Sequence, residues 1–147
     1  MSWWRHPWVH RILSWVLGAI FLYAAVPKVL DPRPLVTIIW GYRLLPPGPV
    51  NLVAIYMPFL ELLVGLGLLT GVLRRGAAFW GFFLLSVFEL ALLVNAVRGV
   101  NVACGCFSQS ATDVHNAWLL VLRDLPMWLG AGVLLFFPPE PQRQGAR

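Results

Sequence analysis

The chain has 147 residues, of which 59% are hydrophobic and 12% charged, and its mean hydropathy is +0.75. That balance excludes an ordinary soluble domain and points to an integral membrane protein. Eleven basic residues outnumber six acidic ones, giving a net charge of +5. The basic residues are scattered, however, and form no continuous patch, which argues against a nucleic-acid partner and for headgroup anchors and topology signals in a lipid bilayer.

Four apolar stretches, about residues 12–30, 50–73, 77–97 and 117–137, are each long enough to cross a ~30 Å hydrocarbon core. The expected fold is all-α: a four-transmembrane-helix bundle with short loops, forming one integral membrane domain over residues 1–147. Basic residues precede the first stretch and Ala24-Ala25 resembles a cleavage context, but three further spans follow, so the first helix is expected to be uncleaved. It should end at Asp31-Pro32-Arg33-Pro34, where prolines remove donors and disfavour helical geometry before them. The run Leu35–Trp40 is too short to span and reads as an interfacial segment between the first two spans, closed by Pro46-Pro47-Gly48-Pro49. Pro58 within the second span should free a carbonyl one turn before Glu61. Gly18, Gly65, Gly67, Gly71, Gly81, Gly130 and Gly132 permit close helix approach. Most of the eight tryptophans fall near span ends, as interfacial rings do. Pro138-Pro139-Glu140-Pro141 stops the last helix and leaves 138–147 as a flexible tail.

Four spans put both termini on one side, together with the tight Arg74-Arg75 turn. That turn is a local cytoplasmic marker, so both termini are expected inside and the loop after the third span outside, in the inner membrane of a bacterium-like cell.

That loop holds the only cysteines, Cys104 and Cys106, separated by Gly105. A turn at the glycine would bring them within disulfide range; so small a ring removes little chain entropy from the unfolded state and is easily reduced, which favours exchange over stapling. A zinc reading would take Cys104, Cys106 and His115 with Asp113, or copper through the thiolates, but Cys-x-Cys departs from the usual zinc spacing. No metal site is therefore assigned. Carboxylates also stand at or within every span: Asp31, Glu61, Glu89 and Asp124. Such groups are costly in lipid and face the bundle interior. Glu61 and Glu89 are both deep and could meet, and the carboxylates read either as a proton relay or head-group pocket, or as an interhelical network with Tyr23, Tyr56, Ser86 or Asn95. Arg123 and Asp124 are adjacent and should need separate partners. Arg123 should reach toward the cysteine loop and favour thiolate there, with Lys28 and Arg98 adding to the field. His6 and His10, four apart, read as interfacial residues rather than ligands.

The ordered motifs are Gly18, Phe21, Lys28, Asp31-Pro32, Tyr42-Arg43-Leu44-Leu45-Pro46, Pro58-Phe59-Leu60-Glu61-Leu62, Gly65, Arg98-Gly99, Cys104-Gly105-Cys106-Phe107 and Arg123-Asp124. Together they resemble the MauE family of methylamine-utilisation membrane proteins, within the wider DoxX-like four-helix group, over about residues 11–135. The resemblance implies an inner-membrane factor for thiol-disulfide exchange or maturation of exported proteins, working with a thioredoxin-like partner. Cys104 and Cys106 would be the exchanging pair, and Glu61, Arg123 and Asp124 their polar support. Glu61, Glu89 and Lys28 would line the site of a quinone, the one cofactor this relationship admits, although the chain lacks the second cysteine pair of quinone-linked thiol oxidases. Ser108 stands where the family pattern has glycine. The competing class is a non-enzymatic accessory subunit that packs against, or helps assemble, a larger membrane complex.

Overall fold

A computed structural model describes residues 3–105 and 114–139. After a 3-10 turn at Trp3–Arg5, the elements are α1 (Pro7–Leu30), α2 (Arg33–Tyr42), α3 (Pro47–Thr70), α4 (Arg74–Val97), the short strands β1 (Val102–Ala103) and β2 (Val114–His115), and α5 (Ala117–Phe136). Four of these helices, α1, α3, α4 and α5, are long and apolar enough to cross a membrane. Their outward faces carry large apolar side chains such as Leu63, Leu90, Leu122 and Phe136, all more than 60% exposed, as lipid-facing positions are.

α1, α3 and α4 start a few residues earlier than the apolar runs alone suggest, whereas α5 starts at Ala117 as expected. Proline at the first turn of α1 and α3 is tolerated because that turn has no intrahelical acceptor to serve, so each helix extends outward from its hydrocarbon segment. Asn116 caps α5, its Oδ1 accepting from the Trp118 amide at 3.0 Å. Gly71, at φ +75°, ends α3 and allows the three-residue turn into α4. Outside the spans, the Arg33 guanidinium and amide hydrogen-bond the Asp31 carboxylate and hold it below its usual carboxylate range.

α1 packs chiefly on α3, and α4 on α5, with α3 and α4 joining the two pairs. Apolar burial gives little net drive between helices in lipid, so association depends on close backbone approach and interhelical hydrogen bonds. Gly18 and Gly65 supply the approach. A Cβ at either position would lie 3.0 Å from the other's carbonyl oxygen and 2.9 Å from a leucine Cγ. Four residues earlier in α1, Ser14 Oγ donates to the Leu68 carbonyl at 2.6 Å. Across α4 and α5, Trp128 Nε1 donates to Ser86 Oγ at 2.8 Å while its ring stacks on Phe82.

Two apolar clusters form the interior. One gathers Leu17, Phe21, Val64, Leu68, Leu84 and Leu134; the other gathers Ile38, Tyr42, Leu92, Cys104, Ala117 and Leu120. The second includes the inner face of α2, where Leu35, Ile38 and Tyr42 are buried. The interfacial segment is thus an amphipathic helix forming part of the core at that rim. β1 pairs antiparallel with β2, Val102 opposite His115 and Ala103 opposite Val114, and draws together the two ends of the α4–α5 connection.

Candidate functional site

Cys104 follows directly on β1 and is 6% exposed, enclosed by the second apolar cluster. Gly105 then turns the chain at φ +68°. A Cβ there would meet Ile38 at 3.1 and 3.3 Å, so glycine is required both by the left-handed backbone and by the closeness of α2. Cys106 and Asp113 lie outside the described residues.

Arg123 comes up from α5, and its Nη2 donates to Cys104 Sγ at 2.6 Å. Its Nε donates to Asp124 Oδ1 at 2.8 Å, so these neighbours pair with each other rather than each needing a separate partner. The extended arginine side chain bends across the helix surface far enough to overcome the angular offset between consecutive positions. Asp124 is 3% exposed, whereas the Arg123 side chain retains 38% exposure. Glu89 stands on α4, the helix that packs on α5. Counting inward from the α4 end at Val97 and the α5 start at Ala117 puts Glu89 and Asp124 at nearly the same depth, eight and seven residues down antiparallel helices. Glu89 Oε1 is buried and has no hydrogen-bond partner among the described residues.

Glu61 does not meet Glu89. The Lys28 ammonium takes that place, donating to both Glu61 oxygens at 3.0 and 2.9 Å, with the two side chains 2% and 4% exposed. Opposing Gly18 to Gly65 puts Lys28 opposite Ile55, six residues and about 9 Å from Glu61. The pair closes because helical side chains lean toward their own N-terminus, which carries Lys28 inward along α1 and Glu61 outward along α3. Phe88 covers the ammonium, its ring centroid 6.0 Å from Nζ. Lys28 is therefore committed to Glu61 rather than to the cysteine rim, and Arg98 is exposed. Tyr23 and Tyr56, expected among the carboxylate partners, are 68% and 69% exposed. Asn95 instead donates to the Ala91 carbonyl within its own helix.

Among the described residues no group of three or more histidine, cysteine, aspartate or glutamate side chains converges on a point, and His115 is exposed on β2. At the opposite rim His10 is 1% exposed, whereas His6 is exposed at the N-cap of α1. An apolar cavity of about 360 Å³ lies between α2, α3 and α4, lined by Tyr42, Met57, Phe88 and Val94 among others. Phe88 also lines a cavity of about 30 Å³ beside Glu61.

Residues 6–137 match the family model described as "Methylamine utilisation protein MauE". The chain belongs to the MauE family. It is 35% identical over 135 residues to the methylamine utilization protein MauE of Paracoccus versutus, covering 89% of this chain and 72% of that protein. The MauE of Paracoccus denitrificans is 34% identical over 119 residues, covering 80% and 62%. That of Methylophilus methylotrophus is 30% identical over 136 residues, covering 92% and 70%. The chain thus spans about two thirds of the length of these MauE relatives. No solved structure matches it.

Sequence reasoning singled out Cys104, Arg123, Asp124, Glu61, Lys28 and Glu89 but did not anticipate their grouping into two separate constellations. It also missed the contribution of Ile38 to the cysteine turn. The spacing of Leu35, Ile38 and Tyr42 along one face of a short helix was the available signal, visible only once α2 is allowed a buried side.

Proposed function

We propose that the chain takes part in thiol-disulfide exchange through Cys104 and Cys106, in the maturation of exported proteins and with a thioredoxin-like partner, as part of methylamine utilisation. The observation that carries this reading is the contact of the Arg123 guanidinium with Cys104 Sγ. A fixed cation against a buried sulfur stabilises thiolate over thiol, and thiolate is both the attacking and the leaving species in exchange. Asp124 holds that guanidinium in place, and Gly105 on Ile38 holds the turn. The Lys28–Glu61 pair joins α1 to α3 and supports the bundle from below. The cysteine rim faces the oxidising side of the inner membrane and both termini face the cytoplasm, in keeping with Arg74 and Arg75 at the start of α4 on the other rim.

Differential thiol labelling in cells tests this reading. Cys104 and Cys106 should be recovered as a mixture of reduced and disulfide forms that moves toward reduced when the partner is starved of oxidant, and the double serine variant should lose function. A pair locked in one state, with a fully active double serine variant, contradicts the redox role and leaves the accessory-subunit class.

A quinone as final electron acceptor has one structural support, the 360 Å³ cavity between α2, α3 and α4. Its lining is apolar apart from Tyr42, so it suits an isoprenoid tail, with Phe88 standing between it and the Lys28–Glu61 pair.

A further inference from the structure

We infer that the rim opposite Cys104 holds a phosphate group, bound by His10 of α1, Arg74 of α4 and the first amides of α4, and carried by a lipid headgroup or by free phosphate. α1 and α4 begin at that rim and α3 ends there.

The Ser14–Leu68 bond of 2.6 Å fixes the level of α1 against the end of α3. His10 stands one turn, about 6 Å, farther out on the same face of α1, and Gly71 stands about 4.5 Å beyond Leu68. The two are thus at nearly one level. Arg74 returns to the same place from α4, its Nη2 lying 3.1 Å from the position a Cβ would take on Gly71. Side chains of α1 and α4 lean toward their own N-termini, which carries both groups outward over the end of α3.

Two buried nitrogens meet no partner there. His10 is 1% exposed, and its Nε2 is buried with no hydrogen-bond partner among the described residues; the same holds for Arg74 Nε. A guanidinium keeps its protons, so Nε is always a donor, and an imidazole can present an N–H at Nε2. Carbonyls near the end of α3 are already taken. That of Leu68 accepts from Ser14, that of Gly67 from the Gly71 amide, and that of Leu66 from Thr70 Oγ1.

α4 opens without a cap: no side chain bonds its first amides, its first turn holds no acid, and the space beside Gly76 is open. Those amides have no intrahelical acceptor and form the positive end of the helix dipole. None of the described carboxylates stands in the end turns at this rim, where Arg5, Arg11 and Arg75 add positive charge. A ligand with several negative oxygens satisfies the guanidinium, the imidazole and the amides together, which the single oxygen of a water cannot. Phosphate is the anion found at the headgroup level of a bilayer, and guanidinium groups and helix N-termini are its usual partners. This rim is apart from the cysteines, so its occupancy does not depend on exchange at Cys104.

The test is thermal unfolding of the full chain in a nonionic detergent, with dioleoyl phosphatidylglycerol added in one series and sodium phosphate, at constant ionic strength, in another. In the parent protein the midpoint should rise and saturate. Arg74→Gln and His10→Phe should each need about tenfold more of the same probe for the same rise, the loss expected for one charge-assisted hydrogen bond. Arg98→Gln, at the cysteine rim, should respond as the parent does. A rise with phosphatidylglycerol alone assigns the phosphate to a lipid headgroup, and a rise with sodium phosphate as well assigns it to free phosphate. No rise with either probe, or either variant's curve superimposed on the parent's, overturns the inference.

Should the variants fail to fold, nitrogen-15 spectra of the histidine-labelled parent decide the matter. The His10 Nε2 resonance should move when phosphatidylglycerol or sodium phosphate is added, while that of His115 stays in place. A His10 resonance that moves with neither probe, or no farther than that of His115, overturns the site.

Discussion

Lys28 and Glu61 show how far a single residue can be placed by counting. Their depth along each span is legible from the sequence, and so is the need of each for an interior partner. The partner itself is not, because depth says nothing about which way a helix face turns or how far a lysine leans along its own helix. Hence depth alone leaves Glu89 open as a neighbour of Glu61, whose partner in the structure is Lys28. Removing one member strands the other charge inside the bundle, so Lys28→Met or Glu61→Leu should lower stability by about 3 kcal/mol or more, while the double change should recover most of the loss. Thermal unfolding of the four proteins in detergent measures this, and equal losses in the single and double variants would argue against the pair. Arg123 was legible for the opposite reason: it lies two turns inside α5, and a long side chain at that depth can reach the preceding loop. Arg123→Gln removes the cation from Cys104 and should slow its alkylation near neutral pH about tenfold, the equivalent of one unit of thiol pKa.

The elements divide in the same way. The four long helices follow from continuous apolar length, and the starts of α1 and α3 shift outward by a few residues because a proline-led first turn continues past the hydrocarbon. β1 and β2 have two residues each, too few for any alternation to register, and their pairing depends on contacts across the loop. The glycine contacts could be suspected from composition, but which glycines touch is a matter of register. Gly65→Val should push α1 from α3 and cost about 1–3 kcal/mol, because its Cβ position is already filled by Leu22 and the Gly18 carbonyl. Gly41→Ala in α2 should be nearly silent, as nothing lies within 4 Å. The same thermal assay compares them. Gly105→Ala combines a left-handed backbone with contact against Ile38 and should loosen the cysteine turn, measured as faster alkylation of Cys104 with little change in the melting of the bundle.

At the scale of the molecule, the bundle separates what holds it together from what can react. Glycine contacts, the Ser14 bond and the buried Lys28–Glu61 pair join α1 to α3. Arg123, Asp124 and Glu89 gather at the α4–α5 contact beneath the rim that carries Cys104, and α2 closes that rim from the side. On the proposed reading, exchange at Cys104 takes place with a partner that comes to this rim. The most direct measurement is therefore trapping in cells. Cys106→Ser, with Cys104 intact, should accumulate a reductant-sensitive adduct through Cys104 to a thioredoxin-like or exported protein, and the adduct should be absent from the double serine variant and diminished by Arg123→Gln. No adduct in Cys106→Ser or in Cys104→Ser, with the double serine variant fully active, would contradict the account.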